Sequence, residues 1–171
     1  APTSAIPTVY PSQTPSIIPT SSPTIVSCID CCGPNNIVNM GYYLLTSQML
    51  KPCQALYSLD GGHMLIMQLD GNVVLYNTQS SLATWSSETS GFPSSQGYYT
   101  YLSFQADGNL VVYTNSVPKW SSGTRGKGGT NLVLQNDGNL VMYNSPVAIG
   151  SGSAVWYSNT LGKKKLRLGV V

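Results

Sequence analysis

The chain has 171 residues, only 8% of which are charged, and its formal net charge at pH 7 is +2. So small a positive charge argues against nucleic-acid binding, which requires a basic patch or stripe. No apolar run reaches the roughly 18 residues needed for a membrane-spanning helix, so we expect no membrane span.

Residues 1–27 form a tail rich in Pro, Ser and Thr. From Pro7 to Pro23 a proline occurs at every fourth position, and a hydroxyl residue follows each one. Proline fixes φ and disfavours helix at the preceding residue, which predicts an extended segment. Such tracts commonly carry O-glycans, and the chain has no Asn-x-Ser/Thr sequon for N-glycans. The O-glycosylation candidates are Thr8, Ser12, Ser16, Thr20 and Thr24.

The tail also suggests a mode of assembly. If it docks on an adjacent subunit, a head-to-tail contact that does not close builds a filament. We therefore expect a homo-oligomer or filament formed through the N-terminal tail. The alternative is a monomer whose tail folds back along its own domain.

A cysteine neck follows at residues 28–35, and it contains Cys28, Cys31 and Cys32, with Cys53 further along the chain. Four cysteines allow three pairings. A bond between adjacent cysteines is strained, so we expect one short local bridge and one from the neck to Cys53. A zinc site is disfavoured because His63 is the only histidine, and we expect it at the surface or a strand edge. Disulfides indicate an oxidising compartment, so we expect a secreted, extracellular protein.

Residues 36–162 contain a repeat of about ten residues in three copies, beginning at Met67, Phe104 and Leu134. The copies start 37 and 30 residues apart, a period typical of a supersecondary unit that cannot bury its apolar face alone. Each copy keeps the pattern Gln-x-Asp-x-Asn-x-Val-x-Tyr. The residues are Gln68, Asp70, Asn72, Val74 and Tyr76 in the first motif, Gln105, Asp107, Asn109, Val111 and Tyr113 in the second motif, and Gln135, Asp137, Asn139, Val141 and Tyr143 in the third motif.

Apolar residues alternate on both sides of the Asp-Gly in each motif, which predicts a strand, a tight turn and a strand. No segment shows a convincing amphipathic helical period, so the domain is predicted to be all-β with three similar sheets around one axis. Downstream of each motif comes a Trp followed by a Ser/Thr tail, at Trp85, Trp120 and Trp156. We expect one Trp per sheet, packed near the axis.

The motif in triplicate, followed by Trp-x-Ser/Thr, resembles the bulb-type mannose-binding lectins of monocots and their fungal and animal relatives. The match runs from about Asn36 to Thr160. The resemblance implies a β-prism II fold with three antiparallel sheets and one monosaccharide pocket per sheet. The chain departs from the plant pattern at Gly71, where several plant members have a half-cystine. The tail and neck have no counterpart in the plant domain.

The chemistry of the motif suits a sugar. A carboxylate accepts a charge-assisted hydrogen bond from a hydroxyl group, while amides and phenols donate and accept. The resemblance implies that Asp and Asn hold the axial 2-hydroxyl of mannose, Gln the 3-hydroxyl and Tyr the 4-hydroxyl, with Val against the C–H face. The alternative is that Asp-Gly-Asn is only a turn signal. That alternative does not explain why Gln and Tyr recur at fixed offsets.

The expected partners are mannose-containing glycans, and we expect no cofactor and no enzymatic activity. A glycosidase needs two carboxylates in one cleft, and each repeat supplies one. The rival function is that of a structural subunit in an extracellular glycosylated filament or sheath, with the lectin fold as its assembly module.

The basic segment 163–171 carries four of the eight basic residues. It is either a solvated end or a strand at Leu166–Val171 that is exchanged with a neighbouring subunit, as the resemblance suggests.

Overall fold

The computed structural model describes residues 32–33, 35–145 and 147–160. The proline-rich tail with its O-glycosylation candidates, Cys28, Cys31 and the basic C-terminal segment lie outside the described residues. The predicted domain boundaries, the short local disulfide and the exchanged strand therefore stay predictions.

The described residues contain thirteen strands and a short 3₁₀ turn at Ser94–Gln96. They contain no helix long and apolar enough to cross a membrane. The strands are β1 (Val38–Asn39), β2 (Tyr43–Leu45), β3 (Met49–Leu50), β4 (Gln54–Tyr57), β5 (His63–Met67), β6 (Val73–Asn77), β7 (Leu82–Ser86), β8 (Thr100–Phe104), β9 (Leu110–Thr114), β10 (Val117–Ser121), β11 (Asn131–Leu134), β12 (Leu140–Tyr143) and β13 (Ala154–Tyr157).

The strands form three sheets, as the sequence predicts. Their orders are β1-β4-β5-β6-β7, β10-β9-β8-β3 and β13-β12-β11-β2. The predicted hairpins are β5–β6, β8–β9 and β11–β12, and all three pair antiparallel. The short strands β2, β3 and β4 join the third, second and first sheets in turn. One N-terminal segment therefore links all three sheets, and the all-β prediction is confirmed.

The inner faces of the sheets meet in a common core. Each sheet contributes fully buried residues, among them Leu65, Leu102 and Leu132. The indole rings of Trp85, Trp120 and Trp156 pack edge to face at centroid distances of 5.4, 6.2 and 6.0 Å. Edge-to-face pairs contribute about 0.5–1.5 kcal/mol beyond area burial. The prediction of one Trp per sheet near the axis is confirmed, although all three are only partly buried.

The outer face of the first sheet carries a second apolar cluster, and the chain itself covers it. Met64, Ile66 and Tyr76 pack there with Cys32. A disulfide joins Cys32 to Cys53 with a Cα–Cα distance of 5.5 Å, which confirms the predicted bridge from the neck to Cys53. These two thiols are thus unavailable to zinc. The described residues contain no group of three His, Cys, Asp or Glu suited to a metal ion.

The sheets meet at seams built on the glycine of each hairpin turn. Gly138 has φ +82°, and a Cβ added there would lie 2.5 Å from Nε2 of His63. At the corresponding position in the second motif, a Cβ added to Gly108 would lie 3.0 Å from backbone atoms of Gly129. Glycine is therefore required both by its φ and by the close approach of the next repeat. His63 begins β5 as expected for a strand-edge residue, but it is half-buried in this seam.

Candidate carbohydrate site

Each motif Asp closes the turn of its own hairpin. One carboxylate oxygen, Oδ1, accepts the backbone N–H of the motif Asn at 2.9 Å in the first motif, 3.0 Å in the second and 2.8 Å in the third. This is the Asx-turn bond that a turn signal predicts. The structural interpretation of the motif therefore accounts for one oxygen of each aspartate and leaves Oδ2 to be explained.

The motif Asn is held by the Ser/Thr tail that follows the Trp. In the second repeat Oδ1 of Asn109 accepts the Ser122 hydroxyl at 3.2 Å and the Thr124 backbone N–H at 3.1 Å. The Thr124 hydroxyl donates to the carbonyl of Gly108 at 2.7 Å. The same bonds recur in the first and third repeats. The sequence alone assigns this tail no role, although its constant offset from the Trp is a usable signal.

The motif Gln and Tyr contact each other directly. The side-chain amide of Gln donates to the Tyr hydroxyl eight residues later, at 2.9, 2.8 and 2.7 Å in the three repeats. This bond explains why the two residues recur together at a fixed offset. In the second and third motifs each of these side chains retains one group without a partner among the described residues. These are the Gln carbonyl oxygen and the proton of the Tyr hydroxyl.

The second and third motifs thus present alternating donors and acceptors. Within the described chain, Oε1 of Gln105, Nδ2 of Asn109 and the hydroxyl proton of Tyr113 have no intramolecular partner. Buried Val111 lies among them as an apolar patch. The corresponding groups of the third motif are arranged alike, because all of its internal bonds are repeated. A pyranose ring, with hydroxyls that donate and accept around an apolar C–H face, complements such a surface.

The second motif lines an open cleft of about 440 Å³. Pro118, Ser121 and Arg125 complete its wall, and sequence reasoning had not selected them. Nε of Arg125 lies 3.3 Å from Oδ2 of Asp107, with the Arg side chain 83% exposed. An exposed ion pair of this kind contributes little, about 0–1 kcal/mol. Oδ2 is therefore accessible to a ligand that can displace a weakly held guanidinium.

The first motif has the same internal bonds but is covered. Gln68 is 2% exposed and Tyr76 5% exposed, whereas their counterparts in the other motifs are half-buried. Tyr76 packs in the outer cluster with Cys32, and Cys53 lies against the same cluster. The residues at equivalent positions on the outer faces of the sheets explain this difference in exposure. Met64 and Ile66 of the first repeat correspond to Tyr101 and Ser103 in the second and to Asn131 and Val133 in the third, so the first repeat alone has aliphatic residues at both outer positions.

A further polar cluster lies at the seam between the first and third repeats, away from the open cleft. The carboxylate of Asp60 accepts the Ser58 hydroxyl at 2.6 Å and the Gly62 backbone N–H at 3.0 Å, and these bonds lower the pKa of Asp60. The backbone N–H of Asp60 donates to Oδ1 of Asn136 at 3.3 Å. Burial raises the pKa of Tyr57 on the covered face. Asp60 and Asn136 join the two repeats at the seam, whereas Tyr57 packs against the outer cluster that contains Tyr76 of the first motif.

Comparison with known proteins defines the class. No protein-family profile matches the chain. A monomeric monocot mannose-binding lectin from Gastrodia elata superposes with a TM-score of 0.58 at 34% identity, covering 70% of this chain and 98% of that one. A lectin from Marasmius oreades gives 0.59 at 33% identity, covering 72% and 96%. The snowdrop (Galanthus nivalis) agglutinin, complexed with methyl-α-D-mannoside, gives 0.53 at 34% identity, covering 66% and 98%.

A curated mannose-specific lectin from Galanthus nivalis is 37% identical over 85 residues, 50% of this chain and 45% of that sequence. The chain thus spans just under half the length of the curated relatives it matches. The fold is that of a β-prism II lectin domain. Within that class, the chain belongs to the bulb-type monocot mannose-binding lectin family.

Proposed function

We propose that this protein is a lectin that binds mannose-type glycans through the second and third motifs. The observation that carries the proposal is the matched array of unpaired donors and acceptors over a buried valine in both motifs. Relatives described as mannose-specific support the choice of sugar, as does the mannoside complex of the snowdrop agglutinin.

The roles of the side chains follow from which groups the protein leaves unused. In the second motif Oδ2 of Asp107 accepts from the axial 2-hydroxyl and Nδ2 of Asn109 donates to it. Oε1 of Gln105 accepts from the 3-hydroxyl, and the Tyr113 hydroxyl donates to the 4-hydroxyl. Val111 contacts the C–H face. The assignment of hydroxyls rests on the family resemblance. Each protein group is free for its role among the described residues except Oδ2 of Asp107, which pairs with the exposed guanidinium of Arg125.

The first motif is proposed as a closed site. Its motif residues keep the same internal bonds, but a sugar would have to displace the disulfide-tethered neck from the outer face. The expectation of three equal sites thus becomes a proposal of two open sites and one covered site.

Binding is proposed to occur without catalysis, because Asp107 is the only carboxylate that lines the described cleft of the second motif.

Secretion and tail-mediated assembly also remain proposals. The Cys32–Cys53 bond supports an oxidising compartment. The rival function, a filament subunit that uses the lectin fold for assembly, rests on the proline-rich tail. The two functions make different predictions for native material. Free mannose should displace a lectin from its glycan ligand and should leave a packed protein filament intact.

The experiment is a nuclear magnetic resonance titration with methyl α-D-mannoside that follows the side-chain amides of Asn72, Asn109 and Asn139. Four or five hydrogen bonds of roughly 0.5–1.5 kcal/mol each suggest a Kd of about 1 mM per site. We expect the Asn109 and Asn139 signals to shift and those of Asn72 to stay. The matched control is methyl α-D-glucoside, whose 2-hydroxyl is equatorial. Equal shifts with both sugars, or none with the mannoside, would contradict the proposal.

A further inference from the structure

The second motif continues into a row of tyrosine rings on its β8 side. Tyr113 of the motif stacks on Tyr101 of β8 with centroids 5.4 Å apart and planes 22° apart. Tyr101 in turn contacts Tyr99 at 5.3 Å and 44°. Tyr99, at the far end of the row, is 54% exposed. The row therefore leads from the wall of the cleft onto the open surface of the second sheet.

The row belongs to the second repeat alone. The residues equivalent to Tyr101 are Met64 in the first repeat and Asn131 in the third. Those equivalent to Tyr99 are Gly62 and Gly129. The packing that the three sheets share therefore does not require aromatic rings at these positions. Some feature particular to the second motif must account for them.

Sheet stability explains only part of the row. Tyr101 and Tyr113 are directly opposite each other in the β8–β9 pairing, and cross-strand pairs of this kind contribute roughly 0.2–1 kcal/mol. Tyr99 precedes β8 and has most of its ring in solvent, so its burial stabilises little. Yet its backbone is fixed on both sides by Asn115. The Tyr99 N–H donates to Oδ1 of Asn115 at 2.9 Å, and its carbonyl accepts the Asn115 N–H at 2.8 Å.

An exposed aromatic ring on a fixed backbone is a binding surface. Tyrosine supplies large amphipathic contact area at low conformational-entropy cost, and the C–H face of a pyranose is an apolar surface that such a ring can cover. We propose that Tyr99 and Tyr101 form an extension subsite for a second sugar ring. That sugar is joined to the mannose held by the second motif. The proposal rests on the proposed function and deepens it, since it makes the second motif selective for oligomannosides.

The test uses the third motif as a control within the same molecule. The third motif, which contains Asp137, lacks the tyrosine row. It therefore reports the gain in affinity that a branched ligand shows at any site simply because it carries several mannose residues. The Asn109 and Asn139 side-chain signals are titrated with methyl α-D-mannoside and then with a trimannoside bearing α1,3 and α1,6 arms. We expect the trimannoside to gain roughly threefold to tenfold more affinity at the second motif than at the third.

Three variants sharpen the result. Tyr99→Ala should abolish the additional gain at the second motif and leave methyl mannoside affinity unchanged, and Tyr99→Trp should keep the gain. Tyr157→Ala, which truncates a tyrosine of similar exposure on the third sheet, should leave the second motif unchanged. Equal gains at the two motifs, or a gain that survives Tyr99→Ala, would overturn the inference. Failure of methyl mannoside to shift either signal would instead refute the proposed function.

Discussion

The two carboxylate oxygens of Asp107 have different contacts. Oδ1 closes the turn by accepting the backbone N–H of the motif Asn, and Oδ2 faces the cleft. In the second motif the same division holds for Gln105, Asn109 and Tyr113, since each uses one polar atom within the protein and leaves another without a partner among the described residues. A turn signal and the proposed sugar site are therefore compatible uses of one side chain.

This division predicts different effects for two substitutions at Asp107. Asp107→Asn keeps an Oδ1 acceptor for the turn but removes the charge, so stability should change little. Mannoside affinity at the second motif should fall roughly tenfold or more, because hydrogen bonds to charged groups contribute about 1.5–3 kcal/mol. Asp107→Ala should lose both binding and stability. Urea unfolding and titration of the Asn109 signal separate the two effects, and Asp70→Asn, in the covered motif, should not alter binding.

Arg125 is predicted to compete with the sugar for Oδ2 of Asp107. Arg125→Ala removes an exposed ion pair, so the free energy of unfolding should change by less than about 1 kcal/mol. Mannoside affinity at the second motif should rise modestly, because the sugar no longer displaces the guanidinium. Lys127→Ala, a nearby exposed cation without an ion pair in the described structure, is the matched control. A loss of affinity in Arg125→Ala would show that the guanidinium supports the site instead.

At the scale of the secondary-structure element, each hairpin turn is held by hydrogen bonds from the Ser/Thr tail that follows the next strand. Thr124 is 1% exposed, and its hydroxyl donates to the Gly108 carbonyl. The tail therefore holds the turn on which the motif Asp and Asn sit. The precision of the site depends on this bond as well as on the motif itself.

Thr124→Val should destabilise the domain by about 1–3 kcal/mol, because it leaves the buried Gly108 carbonyl without its donor while conserving side-chain shape. Thr124→Ser keeps the hydroxyl and should lose much less stability. Urea denaturation of both variants measures the difference. If the two variants unfold at the same urea concentration, the hydroxyl bond is not what fastens the hairpin.

The neck is the element that makes the first motif different. Its disulfide closes a segment of 21 residues, and bridges of that loop length typically contribute roughly 3 kcal/mol. In the variant Cys32→Ser/Cys53→Ser the neck should leave the outer face part of the time. The Asn72 signal should then begin to respond to methyl mannoside, with the Asn109 and Asn139 responses unchanged. A folded double variant whose Asn72 signal stays silent would contradict the proposed role of the bridge.

At the scale of the whole molecule, three similar sheets surround one core but carry motifs of unequal exposure. The three repeats meet at Trp85, Trp120 and Trp156, since each ring contacts the other two.

Trp120→Ala should therefore destabilise the whole domain by about 3 kcal/mol. This is the lower end of the range for a buried aromatic, because the ring is partly exposed. Tyr157→Ala, at an exposed position, should stay within about 0.5 kcal/mol of the parent. Thermal unfolding followed by Trp fluorescence and circular dichroism measures both.

The sequence was informative where the repeats are alike. Alternation around Asp-Gly predicted all three hairpins, and the recurring Trp predicted the shared core. The sheet assignments of β1 to β4 could not be predicted, because strands of two to four residues show no usable period. Their partners are set by long-range pairing, as in β2 with β11.

The covered first motif was also missed, although the sequence held a signal. Met64 and Ile66 stand on the outer face where the second repeat has Tyr101 and Ser103. An apolar outer face beside a cysteine neck indicates a cover. Arg125 and the tyrosine row could not be assigned to the second motif from spacing, because only the fold places Arg125 in the cleft wall and stacks Tyr101 on Tyr113 of the motif.

The most direct test of the account is a crystal structure of the protein with methyl α-D-mannoside at saturating concentration. The account predicts a mannose ring over Val111 and another over Val141, each within hydrogen-bond distance of its motif Asp, Asn, Gln and Tyr. The first motif should hold no sugar, with the Cys32–Cys53 bridge and Tyr76 in place. Sugar in all three motifs with the neck unmoved, or in none of them, would contradict the account.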